Sequence, residues 1–159
     1  MSMVWKPEMP EAFSTLKLLT DETAVEKLSK DFYWYSPVLS GKLKDKKADA
    51  VLVPATVDEI REALRIAYRH RIPVTVRGAG TGNYGQAIPL EGGLVLDLSG
   101  MNEILEIGSG YARVQCGVKL GVLEKTAREQ GQELRIYPST FAKATVGGFV
   151  CGGSGGVGS

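Results

Sequence analysis

The sequence feature that most constrains the fold is a glycine-rich turn placed directly behind an apolar strand. Residues 75–89, TVRGAGTGNYGQAIP, contain four glycines within eight positions. Glycine adopts backbone conformations that other residues avoid, and its missing side chain lets a ligand approach the main chain closely. The turn is therefore either a long surface loop or a nest of backbone N–H groups that binds an anion.

Part of this turn, residues 80–85, matches the G-x-G-x-x-G pattern of dinucleotide-binding folds. Asp97 lies 17 residues after Gly80, near the position of their ribose-binding acid. Such a site needs a helix directly behind the turn, because the helix N-terminus receives the diphosphate. Residues 86–93, QAIPLEGG, follow instead, and their proline and two glycines leave no room for that helix. A Rossmann site is therefore disfavoured, and the absence of G-K-[ST] after any glycine run excludes a Walker loop.

The patterns around the turn predict a βαβ unit with one extra strand. Apolar runs at residues 50–56 and 73–78 predict two strands, and Thr56 with Glu59 forms a capping box that starts the helix between them. The extra strand lies within residues 92–101, GGLVLDLSGM, whose unbroken apolar core is typical of burial on both faces. The predicted apolar face of the helix consists of Ile60, Leu64, Ala67 and Tyr68.

Further elements complete an α+β fold class in a chain whose 159 residues suit one domain. A helix is predicted over residues 20–31, with Thr20 as its cap. Alternation on both sides of GSG predicts a hairpin over residues 103–118. A helix over residues 119–131 is predicted to bury Leu120, Leu123 and Ala127 and to end at Gly131, and residues 133–138, ELRIYP, resemble a strand.

Composition excludes several classes of function. The 19 basic and 18 acidic residues give a net charge of +1, which provides no field for nucleic acid or an anionic membrane. No apolar run approaches the roughly 18 residues of a membrane span, and the start lacks the pattern of a signal peptide; we therefore expect a cytoplasmic protein.

Cys116 and Cys151 lie 35 positions apart, and the lone His70 lies in a charged stretch. We expect no metal site and two reduced, partly buried thiols.

A second glycine-rich stretch, ATVGGFVCGGSGGVGS at residues 144–159, ends the chain. Domains seldom end inside such a stretch, since it becomes ordered only through what packs on it, and we expect the chain to be a fragment of a longer protein. Two glycine-rich stretches that bind one ligand together explain the glycines more economically than two unrelated loops. Arg77 would then anchor the first loop or add positive charge beside the anion.

With both stretches described, the chain from about Ala48 to its end resembles the FAD-linked oxidases of the vanillyl-alcohol oxidase and p-cresol methylhydroxylase family. The resemblance is to the N-terminal part of their flavin-binding domain. It implies that FAD lies between two α+β subdomains, the second of them incomplete in this chain, behind an N-terminal helical extension over residues 1–47. Four segments carry the resemblance in order: residues 51–82, 92–104, 112–131 and 137–156.

The resemblance also implies a set of cofactor-binding residues. Members with covalent flavin often carry a His at the position of Thr81 or a Cys near that of Lys143, and Cys151 lies too far along to serve; non-covalent FAD is therefore implied. The implied diphosphate-binding residues are Gly78, Ala79, Gly80, Thr81, Gly82 and Asn83, with Arg77 beside them. The implied ribityl-side and ring-side residues are Pro138, Ser139, Thr145, Gly147, Gly148 and Ser154.

The activity implied by the resemblance is flavin-dependent oxidation, in which a hydride leaves a C–H bond beside a hydroxyl or amine group. The first glycine loop resembles most that of glycolate and D-lactate dehydrogenases, which implies a small 2-hydroxy acid as substrate. The catalytic residues are expected beyond residue 159. Two alternatives stay open: an FAD-carrying electron-transfer module of a multi-subunit complex, and a truncated chain without activity.

Overall fold

A computed structural model describes residues 9–32 and 36–158 of the chain. Its mixture of helices and strands confirms the α+β class. The helices are α1 (Met9–Ala12), α2 (Glu22–Leu28), α3 (Pro37–Leu43), α4 (Val57–Arg69), α5 (Leu120–Arg128) and α6 (Val146–Cys151). The strands are β1 (Leu18–Leu19), β2 (Ala50–Leu52), β3 (Val74–Arg77), β4 (Leu94–Asp97), β5 (Ile104–Gly108) and β6 (Tyr111–Val114).

The first half of the chain folds around a four-stranded sheet with the strand order β1-β2-β4-β3. Strand β4 runs parallel to both β2 and β3, and β1 pairs antiparallel with β2. All four residues of β4 are buried, as its unbroken apolar run predicts. Helix α4 connects β2 to β3 and leaves the place between them for β4. The predicted βαβ unit is thus confirmed, with the extra strand at its centre.

Each face of this sheet packs against a different helix, because successive side chains of a strand point to opposite faces. Leu96 joins a buried cluster with Ala63 of α4 and with Phe13. Val95, its neighbour on β4, joins a second cluster with Val25 of α2. The sheet is therefore the middle layer between α4 and α2.

The segment before residue 48 contributes to this packing through Phe13, β1 and α2. Helix α2 is capped one residue later than the sequence pattern predicted. The carboxylate of Asp21, rather than the hydroxyl of Thr20, accepts a hydrogen bond of 2.9 Å from the N–H of Ala24. A carboxylate suits this position because it also interacts favourably with the positive end of the helix dipole. The domain boundary between residues 47 and 48 stays a prediction.

The predicted capping box of α4 is present. Thr56 Oγ1 accepts a hydrogen bond of 3.2 Å from the N–H of Glu59, and the Glu59 carboxylate accepts one of 2.7 Å from the N–H of Ala55. The first bond satisfies a backbone donor that the first turn of a helix leaves without an intrahelical partner. The second reaches the N–H of Ala55, one residue before the cap, and fixes the chain that enters the helix.

The predicted apolar face of α4 is wrong in part. Leu64 and Tyr68 are 44% and 89% exposed, whereas Ala63 and Ile66 are buried together with Ala67. The small alanine side chains allow the helix to lie close to the sheet. Periodicity alone favoured the larger residues on the adjacent side of the helix, because it does not register how closely two elements approach.

In the second half of the chain, the predicted hairpin and helix are confirmed. Strands β5 and β6 form a two-stranded antiparallel sheet. Helix α5 buries Leu120, Leu123 and Ala127 as expected, and Gly131 behind it has a φ of +70°, the left-handed conformation predicted for the end of this helix.

The strand predicted at residues 133–138 is wrong. This segment makes one isolated bridge, between Tyr137 and Val157, because its partner stretch is rich in glycine and Gly158 has a φ of +94°, which is incompatible with an extended ladder. Helix α6 was not predicted. Its VGGFVC sequence has low intrinsic helix propensity, and the side chain of Thr145 caps its N-terminus.

The ends of α4 and α5 are built alike but carry different residues. Behind α5, Gly131 N–H donates to Arg128 O and the next N–H donates to Ala127 O, which is the Schellman pattern. Behind α4, Arg71 N–H donates to Tyr68 O in the same pattern. Arg71 has a φ of +54°, so a residue with a Cβ occupies a position that favours glycine.

We expect Arg71→Gly to raise the free energy of unfolding by about 0.5 to 1 kcal/mol, because glycine relieves the left-handed strain and loses part of this gain to the entropy of the unfolded chain. Gly131→Ala should lower the free energy by about 1 kcal/mol. Urea unfolding of both variants measures the two effects, and a destabilised Arg71→Gly protein would contradict the expectation.

Candidate cofactor-binding site

A cleft of about 510 Å³ opens at the carboxyl end of β3. One wall is the loop that leaves β3, and the other is formed by residues 138–154. The structure brings together all of the predicted cofactor residues, which line this cleft: Arg77, Gly78, Ala79, Gly80, Thr81, Gly82, Asn83, Pro138, Ser139, Thr145, Gly147, Gly148 and Ser154.

The first wall offers a row of backbone donors. Within the described part of the chain, the N–H groups from Ala79 to Asn83 donate no hydrogen bond to another protein group. The neighbouring N–H groups are engaged: Tyr84 donates to the side chain of Gln86 at 3.0 Å, and Gly85 donates to a carboxylate at 2.6 Å. The loop thus has the end of this stretch fixed and five successive N–H groups available.

Two glycines of this wall lie where a side chain does not fit. Gly80 has a φ of +65°, and a Cβ there would overlap the guanidinium group of Arg77. A Cβ at Gly78 would overlap the hydroxyl of Thr145, across the cleft. Glycine at these positions therefore permits both the backbone conformation and the close approach of the two walls.

Arg77 anchors the loop rather than supplying a free charge to the cleft. Its guanidinium donates to Leu28 O at 2.5 Å and to Lys30 O at 2.8 Å, and the residue is only 8% exposed. Burial lowers the pKa of Arg77 from its ordinary value, while the nearby carboxylates of Asp97 and Asp31 oppose this effect. Of the two roles predicted for Arg77, the hydrogen bonds support anchoring.

The second wall is built around the start of α6. Thr145 is buried, and its hydroxyl accepts a hydrogen bond of 3.2 Å from the N–H of Gly148. The N–H of Gly147 donates to Cys116 O at 2.8 Å. A Cβ at Gly147 would lie 2.7 Å from the Cβ of Cys116, so α6 reaches this position only because residue 147 has no side chain.

Other lining residues carried no recognisable signal in the sequence. Most of them lie within or beside the two glycine-rich stretches, where no motif distinguishes a lining residue from a structural one, and Leu98 and Cys116 come from other segments. Cys151 is exposed and lines the cleft, so the expectation of two partly buried thiols is wrong for this residue. The lining residues that the sequence analysis did not select are Val76, Tyr84, Gln86, Ala87, Leu98, Cys116, Thr140, Ala144, Phe149, Cys151 and Gly152.

The two positions tied to covalent flavin lie differently. Thr81 lines the cleft. Lys143 is exposed and its Nζ lies 5.1 Å from the centre of the Phe32 ring.

Among the described residues, no group of three His, Cys, Asp or Glu side chains is arranged to hold a metal ion, and no helix is both long and apolar enough to cross a bilayer.

A parallel strand that ends in a glycine-rich loop, facing a second glycine-rich wall across a cleft, is typical of domains that bind a nucleotide cofactor. The chain belongs to a family described as the FAD binding domain, whose model matches residues 48–159. This membership confirms the family and the cofactor, FAD, that the sequence pattern indicated.

Relatives named as an oxidase subunit and a dehydrogenase agree with this membership. The chain is 40% identical over 111 residues to the glycolate oxidase subunit GlcD of Bacillus subtilis, covering 69% of this chain and 24% of that protein. It is 34% identical to the D-lactate dehydrogenase of Anaerostipes hadrus over 95% of this chain and 31% of that protein. The chain therefore spans about a quarter to a third of the length of these relatives.

The fold matches that of p-cresol methylhydroxylase with substrate bound. The TM-score is 0.70 at 22% identity, over 91% of this chain and 28% of that one. Identity at this level shows the fold alone, and the predicted p-cresol methylhydroxylase type of fold is confirmed.

The packing at Gly147 gives a test of the second wall. Gly147→Ala should lower the free energy of unfolding by about 1 to 3 kcal/mol, because the added methyl group forces α6 away from Cys116. Gly41→Ala is the matched control, since a Cβ at Gly41 in α3 meets nothing within 4 Å and should be neutral or stabilising. Equal urea midpoints for the Gly147 variant and the unmodified protein would contradict the packing.

Proposed function

We propose that the cleft binds FAD with its diphosphate on the loop from Ala79 to Asn83. The observation that carries this proposal is the row of five backbone N–H groups without a partner in the described chain. Backbone donors arranged in a nest stabilise phosphate oxygens at close range without a positively charged side chain. The cleft volume of about 510 Å³ also lies in the range of cofactor and small-molecule sites.

The second wall would contact the ribityl chain and the flavin ring. Ser139 and Ser154 supply hydroxyl groups that can donate to or accept from a polyol, and Pro138 with Gly147 and Gly148 allows a flat ring to approach the backbone. Thr145 is placed differently, because its hydroxyl oxygen already caps α6. Its contribution in this proposal is to hold the second wall in position.

For the protein that carries this domain, we propose oxidation of a small 2-hydroxy acid. FAD held in this cleft would supply the redox chemistry, as the acceptor of a hydride from the substrate. The names of the two relatives, a glycolate oxidase subunit and a D-lactate dehydrogenase, support this class of substrate. A cytoplasmic location stays a prediction.

A second candidate is an FAD-carrying module within a larger complex, because the Bacillus relative is named a subunit. The two functions are separated by mixing the purified protein with glycolate and D-lactate under anaerobic conditions. Bleaching of the flavin absorption by either acid favours the enzyme, and a flavin that only an added protein partner reduces favours the module.

The proposal includes non-covalent attachment, since Thr81 and Lys143 occupy the positions where covalent members often carry His and Cys. Acid precipitation of the yellow protein should therefore release the flavin absorption bands into the supernatant. Flavin that stays with the pellet would contradict this part of the proposal, while leaving the binding of FAD intact.

The placement of the diphosphate is tested by Gly80→Val. We expect loss of FAD binding, because valine disfavours a φ of +65° and its side chain would displace Arg77 and cover the loop. Gly110→Val is the matched control: Gly110 has a φ of +79° but open space around it, in the β5–β6 turn. The control should lose stability and keep its FAD affinity in a fluorescence titration.

An unchanged dissociation constant in Gly80→Val would show that the diphosphate lies elsewhere. Equal loss of FAD binding in both variants would assign the effect to general destabilisation rather than to the site.

A further inference from the structure

The segment Leu28–Phe32, at the end of α2, touches the first wall of the cleft at three points. Arg77, at the start of the loop, donates to two carbonyl groups of the segment, at 2.5 and 2.8 Å. The N–H of the last residue of the segment donates to Gly82 O at 3.3 Å. The carboxylate of Asp31 accepts a hydrogen bond of 2.6 Å from the N–H of Gly85, at the end of the loop. The segment therefore holds the start, the middle and the end of the loop.

The same segment also reaches the second wall. The ring of Phe32 lies beneath the Nζ of Lys143, 5.1 Å from the ring centre, within the range of a cation–π contact. Lys143 directly precedes Ala144, which lines the second wall, although its own side chain is not among those described as lining the cleft. One segment of five residues thus contacts both sides of the cleft, although it precedes the part of the chain that matches the FAD binding domain family.

We infer that Leu28–Phe32 is a clasp that holds the loop in its FAD-binding shape, and that Asp31 is its principal positioning residue. The inference rests on the proposed function of the cleft. The contacts of the clasp use the Arg77 side chain, a loop carbonyl and the N–H of Gly85. They leave the N–H groups from Ala79 to Asn83 available for the ligand.

A loop that is ordered before binding loses less conformational entropy when the ligand arrives, and it therefore binds more tightly. Asp31 contributes to this order at the end of the loop through its bond to Gly85, whereas the Arg77 guanidinium bonds the segment from the start of the loop. Its carboxylate has the same sign of charge as a diphosphate, so repulsion opposes its positioning effect. The net effect of Asp31 on FAD affinity is favourable only if positioning is the larger of the two.

Substitutions at Asp31 separate these two contributions. Asp31→Ala removes both the acceptor and the charge, and FAD should bind about tenfold more weakly because the end of the loop loses a charge-assisted hydrogen bond. Asp31→Asn keeps an oxygen that can accept from Gly85 and removes only the charge. Its FAD affinity should stay within about threefold of the unmodified protein, because the bond to Gly85 is kept and the lost attraction for the buried Arg77 guanidinium opposes the lost repulsion toward the diphosphate.

The matched control is Asp21→Ala, at the opposite end of α2. It removes the cap on Ala24 and destabilises the same helix without touching the loop, so its FAD affinity should not change. Dissociation constants are measured by flavin fluorescence. Hydrogen–deuterium exchange of the cofactor-free protein is measured in parallel, and peptides spanning residues 81–88 should exchange faster in Asp31→Ala and at the normal rate in Asp31→Asn.

The clasp is wrong if Asp31→Ala binds FAD as tightly as the unmodified protein, or more tightly. It is also wrong if Asp21→Ala weakens FAD binding equally, because α2 would then act only through overall stability. An unmodified protein that binds no FAD would contradict the proposed function instead. In that case the exchange of residues 81–88 still decides whether Asp31 holds the loop.

Discussion

The structure depends on the burial of β4 between two parallel neighbours, with a helix on each face of the sheet. A strand that is apolar on both faces requires two covering layers. Helix α4 supplies one layer and α2 supplies the other, through Val25 against Val95. Because α2 packs on this second face, its C-terminal end arrives beside the end of β3, where Arg77 binds its carbonyl groups. Because α2 packs over β4, it also comes to lie beside the first wall of the cleft.

The cleft combines a loop whose backbone N–H groups are available with hydrogen bonds that hold this loop in place. Among the described residues that line it, Arg77 is bonded to carbonyl groups, so the proposed attraction for an anion depends on the N–H groups of the loop. Such donors act only over short distances and only when they are already oriented. This explains why the loop is held at its ends while its central donors stay available, and why Gly78 and Gly80 tolerate no Cβ.

Much of the fold follows from local patterns that tertiary structure did not override. The capping box of Thr56 and Glu59, the hairpin around GSG and the turn at Gly131 were predicted because each depends on residues close in sequence. The errors have a different origin. Leu64 and Tyr68 were placed inside because periodicity does not reveal how near α4 lies to the sheet. Residues 133–138 resembled a strand, yet a strand also needs a suitable partner.

The sequence by itself determined the two glycine-rich stretches, the order of the elements from β2 to α5 and the likeness to FAD-linked oxidases, since these depend on residue type and spacing along the chain. Only the tertiary structure decided that Arg77 serves as an anchor, that Cys151 faces the cleft and that α2 contacts the loop. Each of these outcomes joins residues tens of positions apart, and the energy of such contacts depends on distances and burial that no local pattern encodes.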